Sequence, residues 1–518
     1  MPSRRDDLLV VLAALLPLAL FVVRERQIAD AVGFPLDDAW IHLHFARNLA
    51  EGAGFSYNPG RPVAGSTAPL WTLLLAAGAA AFGPSLALAK ATGVAAALGA
   101  ALLTRRAALA FGAHPAAALV AAVGLLWTGP MAWGALSGME VSLAALLVAA
   151  ALSAHGRDRL AWSAVWAALA VLARPESLLL VPFLALARPL GLRRALVFTG
   201  VTAAAVTPMV LFSLWTAGVP YPATAAAKVE GGLIGWLGGF REPASVTWLV
   251  RPWEFSREWI VWLATTQWLL PLALFPGLVL AWRGGGRALG IPALALLAHP
   301  LGMALLAPYR GPAFQEGRYS IHLLPLAFVV LSVVAGAVVA GTAGPASAEG
   351  GLRQMRRGSD TPGQPAWFRL WLRVAVVAYL AAAAATLVPA ADRYGWAVQN
   401  INAMQVHLGR WVDAHLPKSA RIAVNDIGAI AYFSRREIVD LMGLVTPEIV
   451  PYRRQGGPGV LRYVLETCPD HVIIFPAWFP QFASSGTLLQ PVYRVRLERN
   501  EVAGAPEMVV YRLTRCTV

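Results

Sequence analysis

A chain of 518 residues with 58% hydrophobic and only 14% charged side chains falls outside the soluble globular class, in which about 25% of residues are charged. Its formal charge of +14 would suit a nucleic-acid binder, but the arginines form no basic face. They stand in short groups between apolar blocks, as in a polytopic membrane protein. The blocks are rich in Ala and Leu without two-residue alternation, which predicts helices and excludes barrel strands.

The first block, Leu8–Val23, follows Arg4-Arg5 and is followed by Arg24-Glu25-Arg26 with no small-residue cleavage site, so it is read as a retained anchor and not a signal peptide. Arg4-Arg5 places the N-terminus in the cytoplasm. Pro69–Phe82 is short, entered through Gly65-Ser66-Thr67 and left through Gly83-Pro84, and is read as a re-entrant or interfacial helix. Counting it as a span would put Arg105-Arg106 on the wrong side. Eleven spans are then expected, at approximately 8–23, 85–104, 115–133, 139–154, 158–173, 177–190, 195–217, 259–281, 288–307, 321–341 and 372–390. Arg105-Arg106, Arg157/Arg159, Arg193-Arg194, Arg283/Arg287 and Arg353/Arg356-Arg357 all fall inside, and Thr342–Phe368 reads as a cytoplasmic linker.

The odd number of spans puts the C-terminal segment outside. From about Asp392 the composition becomes that of a soluble α/β domain, with a helix over Met404–His415 and strands at Arg421–Asn425, Glu437–Leu441, His471–Phe475 and Met508–Leu513. The expected organisation is an α-helical polytopic membrane domain, residues 1–390, and a small extracytoplasmic α/β domain, residues 391–518. Asp426 and Asp440, near strand ends, are expected to fix turns. Cys468 and Cys516 have no metal spacing; a disulfide and two free thiols both remain open.

Arginines alone fixed this threading, so the other polar groups test it. The outer face receives Asp37-Asp38, Ser137-Gly138-Met139-Glu140, Arg174-Pro175-Glu176, Tyr221 through Lys228, and Glu316-Gly317-Arg318-Tyr319. Carboxylates and arginines at membrane helix ends are costly to desolvate and mark a site or a pairing network. Asp37-Asp38 opens an amphipathic helix that lies at the interface. Asp37 suits its N-cap, and capping explains one acid better than two.

Asp37-Asp38-Ala39, Phe45-Ala46-Arg47-Asn48-Leu49-Ala50-Glu51-Gly52 and Phe55-Ser56-Tyr57-Asn58-Pro59-Gly60 resemble the first outer loop of bacterial GT-C glycosyltransferases. The resemblance is nearest to the mycobacterial terminal arabinofuranosyltransferase type, and more distant to protein O-mannosyltransferases and aminoarabinose transferases. It extends to Trp133–Glu140, Ala173–Glu176, Asp426–Phe433 and Asp440–Leu444. Where relatives usually run Glu-Gly-Tyr-Thr-Asn-Phe-Leu-Trp, this chain has Ala64-Gly65-Ser66-Thr67-Ala68-Pro69-Leu70-Trp71. It also carries His42 and His44 where many relatives have Ser, Tyr or Arg. Both departures leave the acceptor open.

The resemblance implies a polyprenyl-phosphate-linked sugar donor and an extracytoplasmic glycan, lipid or protein acceptor, in a multi-pass protein of the inner (plasma) membrane. The absence of a glycine-rich phosphate loop agrees with a donor that is not a nucleotide sugar. An inverting displacement needs one carboxylate near the attacking hydroxyl, for which Asp37 and Asp38 are the candidates. Arg318, Lys228 and Arg174 are candidates for stabilising the departing phosphate. Tyr319, Glu140, Glu176, His42 and His44 are candidate donor or acceptor contacts, against bland readings in which Glu140 caps its own helix and Arg174 pairs with Glu176. The two histidines, two apart on a helix, face different directions and suit no shared metal. No metal ligand is assigned, although a divalent cation on Asp37-Asp38 stays open. Trp40 and Trp71 are candidates for stacking on sugar rings. A lipid-linked-sugar transporter or flippase, which would want inverted repeats, and a non-catalytic scaffold are the competing classes.

Overall fold

The computed structural model describes residues 4–187, 191–229, 231–283, 290–341, 366–483 and 486–516. All but the last three residues of the Thr342–Phe368 linker, together with Arg287 and the ends of two expected spans (188–190 and 288–289), lie outside the described residues.

Among the described residues, five helices are long and apolar enough to cross a bilayer: Arg4–Ala29, Leu86–Ala110, Leu192–Ala217, Phe314–Val338 and Leu370–His415. Two further candidates are bent pairs, Pro115–Leu126 with Gly129–Leu136 at 59° and Val246–Thr266 with Leu269–Leu280 at 112°. Val141–His155, Leu160–Ala173, Pro175–Ala185 and Ile291–Leu306 are shorter apolar helices, as is the interfacial candidate Pro69–Phe82. The protein is an α-helical polytopic membrane protein with a small sheet domain.

Helical segments stand at all eleven expected spans, with three differences of form, the first being the 59° bend that divides 115–133 between Leu126 and Gly129. Trp259–Ala281 is not one straight span. The chain turns sharply at Gln267, whose backbone is extended at φ −162°, and Pro271 then lies in the first turn of the next helix, where its missing N–H costs nothing. The segment expected at 177–190 is helical only over Pro175–Ala185, which is too short to cross alone.

The last membrane helix, Ala366–Ile401, carries on through a wide turn at Asn402–Val406 into His407–His415. It runs unbroken past residue 390, where composition had suggested a boundary. Helical periodicity at Met404–His415 is thus the far end of a membrane helix. A buried ion pair ties this helix to two others. Lys90 Nζ donates to both Glu25 oxygens at 2.6 and 2.8 Å and to Tyr394 Oη at 3.0 Å, which satisfies charges that would otherwise be very costly in an apolar bundle.

After the first helix comes a compact loop, the helix Asp38–Ala50 followed by a short hairpin of β1 (Ser56–Asn58) and β2 (Arg61–Pro62). The C-terminal sheet contains β3 (Arg421–Val424), β4 (Glu437–Asp440), β5 (His471–Ile474), β6 (Leu489–Arg496) and β7 (Glu507–Leu513), in the order β4-β3-β5-β7-β6. β3 is parallel to β4 and β5, and β7 is antiparallel to β5 and β6. Four strands match expectation within a residue. β6 was missed because it is an edge strand with mostly exposed side chains and an internal Pro491, and it lacks the apolar signal that marks a strand in sequence.

Cys468 and Cys516 are bonded, Cα to Cα 5.4 Å, joining the end of the Gly456–Thr467 helix to the chain after β7. Opening this crosslink, which spans 48 residues, by Cys516→Ser is expected to lower the stability of the sheet domain by about 4 kcal/mol through the loop entropy regained on unfolding. Thermal unfolding in detergent measures it, and an unchanged midpoint would contradict the expectation.

Candidate active site

A cavity of about 560 Å³ lies between the helical bundle and the sheet domain. Its spine is one face of the last membrane helix, because Arg393, Ala397, Ile401 and Gln405 recur every four residues and all line it. The first loop contributes Asp37 and Asp38, and the bundle contributes Lys228, Tyr309 and Arg318. Asn425, Asp426, Met442 and Trp478 close it from the sheet side.

Asp38 sits at the start of its helix with its side chain one-third exposed to the cavity. Its Oδ2 accepts from Arg318 Nη1 at 2.8 Å and lies 3.6 Å from Lys228 Nζ. Burial opposes ionisation of this carboxyl, but Lys228 and Arg318 outweigh it and hold the group far below the usual carboxylate range. Burial likewise works against charge on Lys228, yet Asp38 raises it above the ordinary lysine value. Lys228 Nζ also stands 5.5 Å from the Tyr309 ring centroid. Arg318 donates to Tyr319 Oη at 3.0 Å. The backbone that delivers Arg318 is strained: Gln315, Glu316 and Gly317 have φ of 48°, 61° and 77°, a run that non-glycine residues rarely adopt. Glu316 is held there by Arg393 at 2.9 Å, and Gly317 packs against the Trp262 ring with no room for a Cβ.

Asp37 does not cap its own helix, contrary to expectation. Its carboxylate makes no bond to that helix; Oδ2 accepts from Gly428 N at 2.6 Å and Oδ1 from Ala429 N at 2.7 Å. Those amides open the helix Gly428–Ser434 of the sheet domain. Gly428 is needed here, since a Cβ would collide with the Asp37 backbone and carboxylate. Burial and the nearby Asp426 push the Asp37 carboxyl upward, while the two amides pull it down, and the balance is raised. Among the described residues no three His, Cys, Asp or Glu side chains group to hold a metal.

Glu140, Arg174, Glu176 and His42 form a second network beneath the first. Glu140 makes no cap to its helix; it pairs with Arg174 and lies 3.4 Å from His42 Nε2. Arg174 reaches Glu176 at 3.3 Å and stacks 4.7 Å from the Tyr319 ring centroid. Arg318 covers the same ring at 5.0 Å, so Tyr319 joins the two networks. His42 and His44 face different partners, as their spacing predicts. His42 reaches Thr72 at 3.2 Å. His44 is turned into the first loop, 2.9 Å from the Tyr57 carbonyl, and burial followed by Arg47 depresses its pKa to about 3; it contacts no ligand space. Trp71 and Trp40 are buried, Trp71 donating to the Gly138 carbonyl at 3.0 Å and Trp40 packing on Phe34, Tyr432 and Phe433, so neither is available to a sugar ring.

Sequence reasoning missed Tyr309, Arg393, Gln405 and Asn425, and misread Asp426. Asp440 does fix a turn, accepting from Met442 N and Val445 N at 2.7 and 2.8 Å. Asp426 instead faces the cavity and accepts from Gln405 Nε2 at 2.7 Å. The available signal was topological: Asn425 and Asp426 follow the carboxyl end of β3, which has parallel neighbours on both sides, and ligands gather at such ends.

Residues 399–511 match the model of a family described as a domain of unknown function (DUF8728). Among solved structures, ArnT from Cupriavidus metallidurans bound to undecaprenyl phosphate is similar over 98% of this chain and 99% of its own, at 14% identity and a TM-score of 0.55. The chain has the GT-C fold. The Archaeoglobus fulgidus oligosaccharyltransferase tethered with an acceptor peptide is similar over 91% of this chain and 69% of its own, at 13% identity and a TM-score of 0.57. Mycobacterial arabinofuranosyltransferase AftD matches 98% of this chain and 41% of its own, at 16% identity and a TM-score of 0.46. No curated protein sequence matches.

Two outcomes follow from this geometry. Gly428→Ala is expected to destabilise the protein by several degrees, because the Asp37 clamp cannot close over a methyl group; an unaltered midpoint would contradict it. Burial, aided by Asp38 and Asp440 against the Gln405 hydrogen bond, pushes Asp426 up to about 6. A raised folded-state pKa favours the protonated fold, so this stabilisation is full below about pH 4 and is lost as pH rises through about 6. Asp426→Asn should therefore raise the unfolding midpoint near neutral pH and leave it unchanged in acid.

Proposed function

We propose that this protein is a membrane glycosyltransferase that moves a sugar from a polyprenyl-phosphate donor to an acceptor hydroxyl outside the cytoplasm. The observation that carries the reading is a single carboxylate, Asp38, held by Lys228 and Arg318 at the wall of the interdomain cavity. In the reaction the acceptor oxygen attacks the anomeric carbon from the face opposite the phosphate. The bond between that carbon and the phosphate oxygen breaks, and its electron pair leaves with the polyprenyl phosphate. Asp38 takes the acceptor proton; Lys228 and Arg318 hold the phosphate as its charge grows. Asp37 is set aside as the base, since both its oxygens are engaged by amides.

The cation pair also regulates the base. With no phosphate present, Lys228 and Arg318 make Asp38 a poor proton acceptor. A donor phosphate shares both cations, relieves that hold and raises the basicity of Asp38 only when a donor is in position. Two structures of similar fold support this chemistry, ArnT bound to undecaprenyl phosphate and the oligosaccharyltransferase tethered with an acceptor peptide. The arginine groups between apolar blocks and the Cys468–Cys516 disulfide favour an orientation with the sheet domain and cavity in an oxidising, extracytoplasmic compartment of a plasma-membrane protein.

Purified protein in detergent, supplied with undecaprenyl-phosphate-linked sugars, provides the test. Asp38→Asn is expected to lower the release of undecaprenyl phosphate by roughly 10²–10⁴-fold, the usual scale for loss of a general base, with donor binding kept. Arg318→Ala is expected to weaken donor binding itself. Wild-type turnover in Asp38→Asn would remove the carboxylate from the reaction.

A further inference from the structure

The sheet-side wall of the cavity contains hydrogen-bonding capacity that no protein group uses. Asn425 is 2% exposed and Gln405 fully buried. Each amide is oriented by one firm bond: Asn425 Oδ1 accepts from Phe475 N at 3.2 Å, and Gln405 Nε2 donates to Asp426 Oδ2 at 2.7 Å. What remains is a donor, Asn425 Nδ2, and an acceptor, Gln405 Oε1, both buried without a partner in side chains that line the cavity. An unpaired buried polar atom costs about 1–3 kcal/mol, and two of opposite sense in the lining of one cavity are poorly explained as packing defects. The same wall carries Trp478, 45% exposed. Its Nε1 donates to the Gly504 carbonyl at 3.0 Å, and its ring lies against Gly504 where a Cβ would collide, so the indole is fixed yet open.

We infer that Gln405, Asn425, Asp426 and Trp478 form a subsite for a carbohydrate acceptor, which deepens the transferase reading by naming the acceptor class. Sugar hydroxyls both donate and accept. A donor, an acceptor and a carboxylate at neighbouring positions match adjacent hydroxyls, and an exposed aromatic face matches the apolar C–H face of a sugar ring. A polypeptide acceptor would call for backbone pairing along a strand edge, and a lipid acceptor for an apolar wall. Gln405, Asn425 and Asp426 present polar atoms that an acyl chain would leave unpaired, with Met442, Leu444 and Val502 beside them in the lining. The acceptor is thereby gripped by the sheet domain while its reacting hydroxyl meets Asp38 on the bundle side.

The test uses the full-length protein in detergent and a panel of neutral di- to tetrasaccharides of common pentoses and hexoses, read by saturation-transfer NMR. At least one should receive saturation from the wild type, and its affinity should fall at least fivefold in Asn425→Asp, which keeps an oxygen for Phe475 N and replaces the free donor with a carboxylate oxygen. Trp478→Ala, an exposed position, should weaken binding similarly even if Asn425→Asp fails to fold, with partial recovery in Trp478→Phe. No transfer to any saccharide, or binding indifferent to Trp478→Ala, overturns the subsite. Release of undecaprenyl phosphate from lipid-linked sugars, run on the same preparation, separates the two readings. Donor turnover without saccharide binding removes the subsite and leaves a transferase. Saccharide binding without donor turnover removes the transferase and leaves a glycan-binding wall.

Discussion

The Asp37 carboxylate closes on two backbone amides 391 and 392 residues further along the chain, and that clamp fastens the first loop to the sheet domain at the wall of the cavity. Removing it would leave two amides buried without acceptors, at about 1–3 kcal/mol each. Neighbouring bonds reinforce it. Tyr57 Oη donates to the Ile427 carbonyl at 2.8 Å, Arg47 to the Tyr432 carbonyl at 2.7 Å, and Asn58 to the Ile438 carbonyl at 2.8 Å. The first loop thus grips one short stretch of the sheet domain, residues 427–438, through buried backbone groups. Asp38 is the next residue after the clamp, so its geometry is set as much by the sheet domain as by the membrane helices.

Charge is arranged in two connected layers. The upper layer, Asp38 with Lys228 and Arg318, faces the cavity; the lower, Glu140 with Arg174, Glu176 and His42, is sealed beneath it. Tyr319 lies between, with a guanidinium from each layer over its ring. Arg174 is paired with Glu140 and Glu176 in the lower layer, whereas Lys228 and Arg318 line the cavity. This division explains why five polar groups converge on one end of the bundle although only a few of them touch the cavity.

Much of this could be read from the residues. Apolar block length and arginine placement gave the helical segments, and short continuous apolar runs gave the four strands with buried cores. Asp37, Asp38, Lys228 and Arg318 stood out because charged groups at membrane helix ends need a reason. What escaped was long-range. The helical periodicity over Met404–His415 does not reveal that its helix begins in the membrane, and Gln405 looks like any helical polar residue until the carboxyl end of β3 is folded against it. Asp37 read as a local cap because a carboxylate at a helix start has an obvious partner three residues on, and the sequence carries no sign of the better partner at Gly428. Trp40 and Trp71 failed for a similar reason, since an aromatic near an acidic motif looks the same whether it meets a sugar or the core.

The unbroken helix from Leu370 to His415 contains 46 residues and is close to 70 Å long at 1.5 Å per residue. A bilayer hydrocarbon core occupies about 30 Å of it. The remainder is a rigid mast whose cavity-lining face, from Arg393 to Gln405, climbs roughly 18 Å. Height along that mast is therefore a coordinate built into the protein. Arg393 and Gln405 are held about 18 Å apart along one rail, and the length of the helix, not a moving part, keeps the groups between them in register.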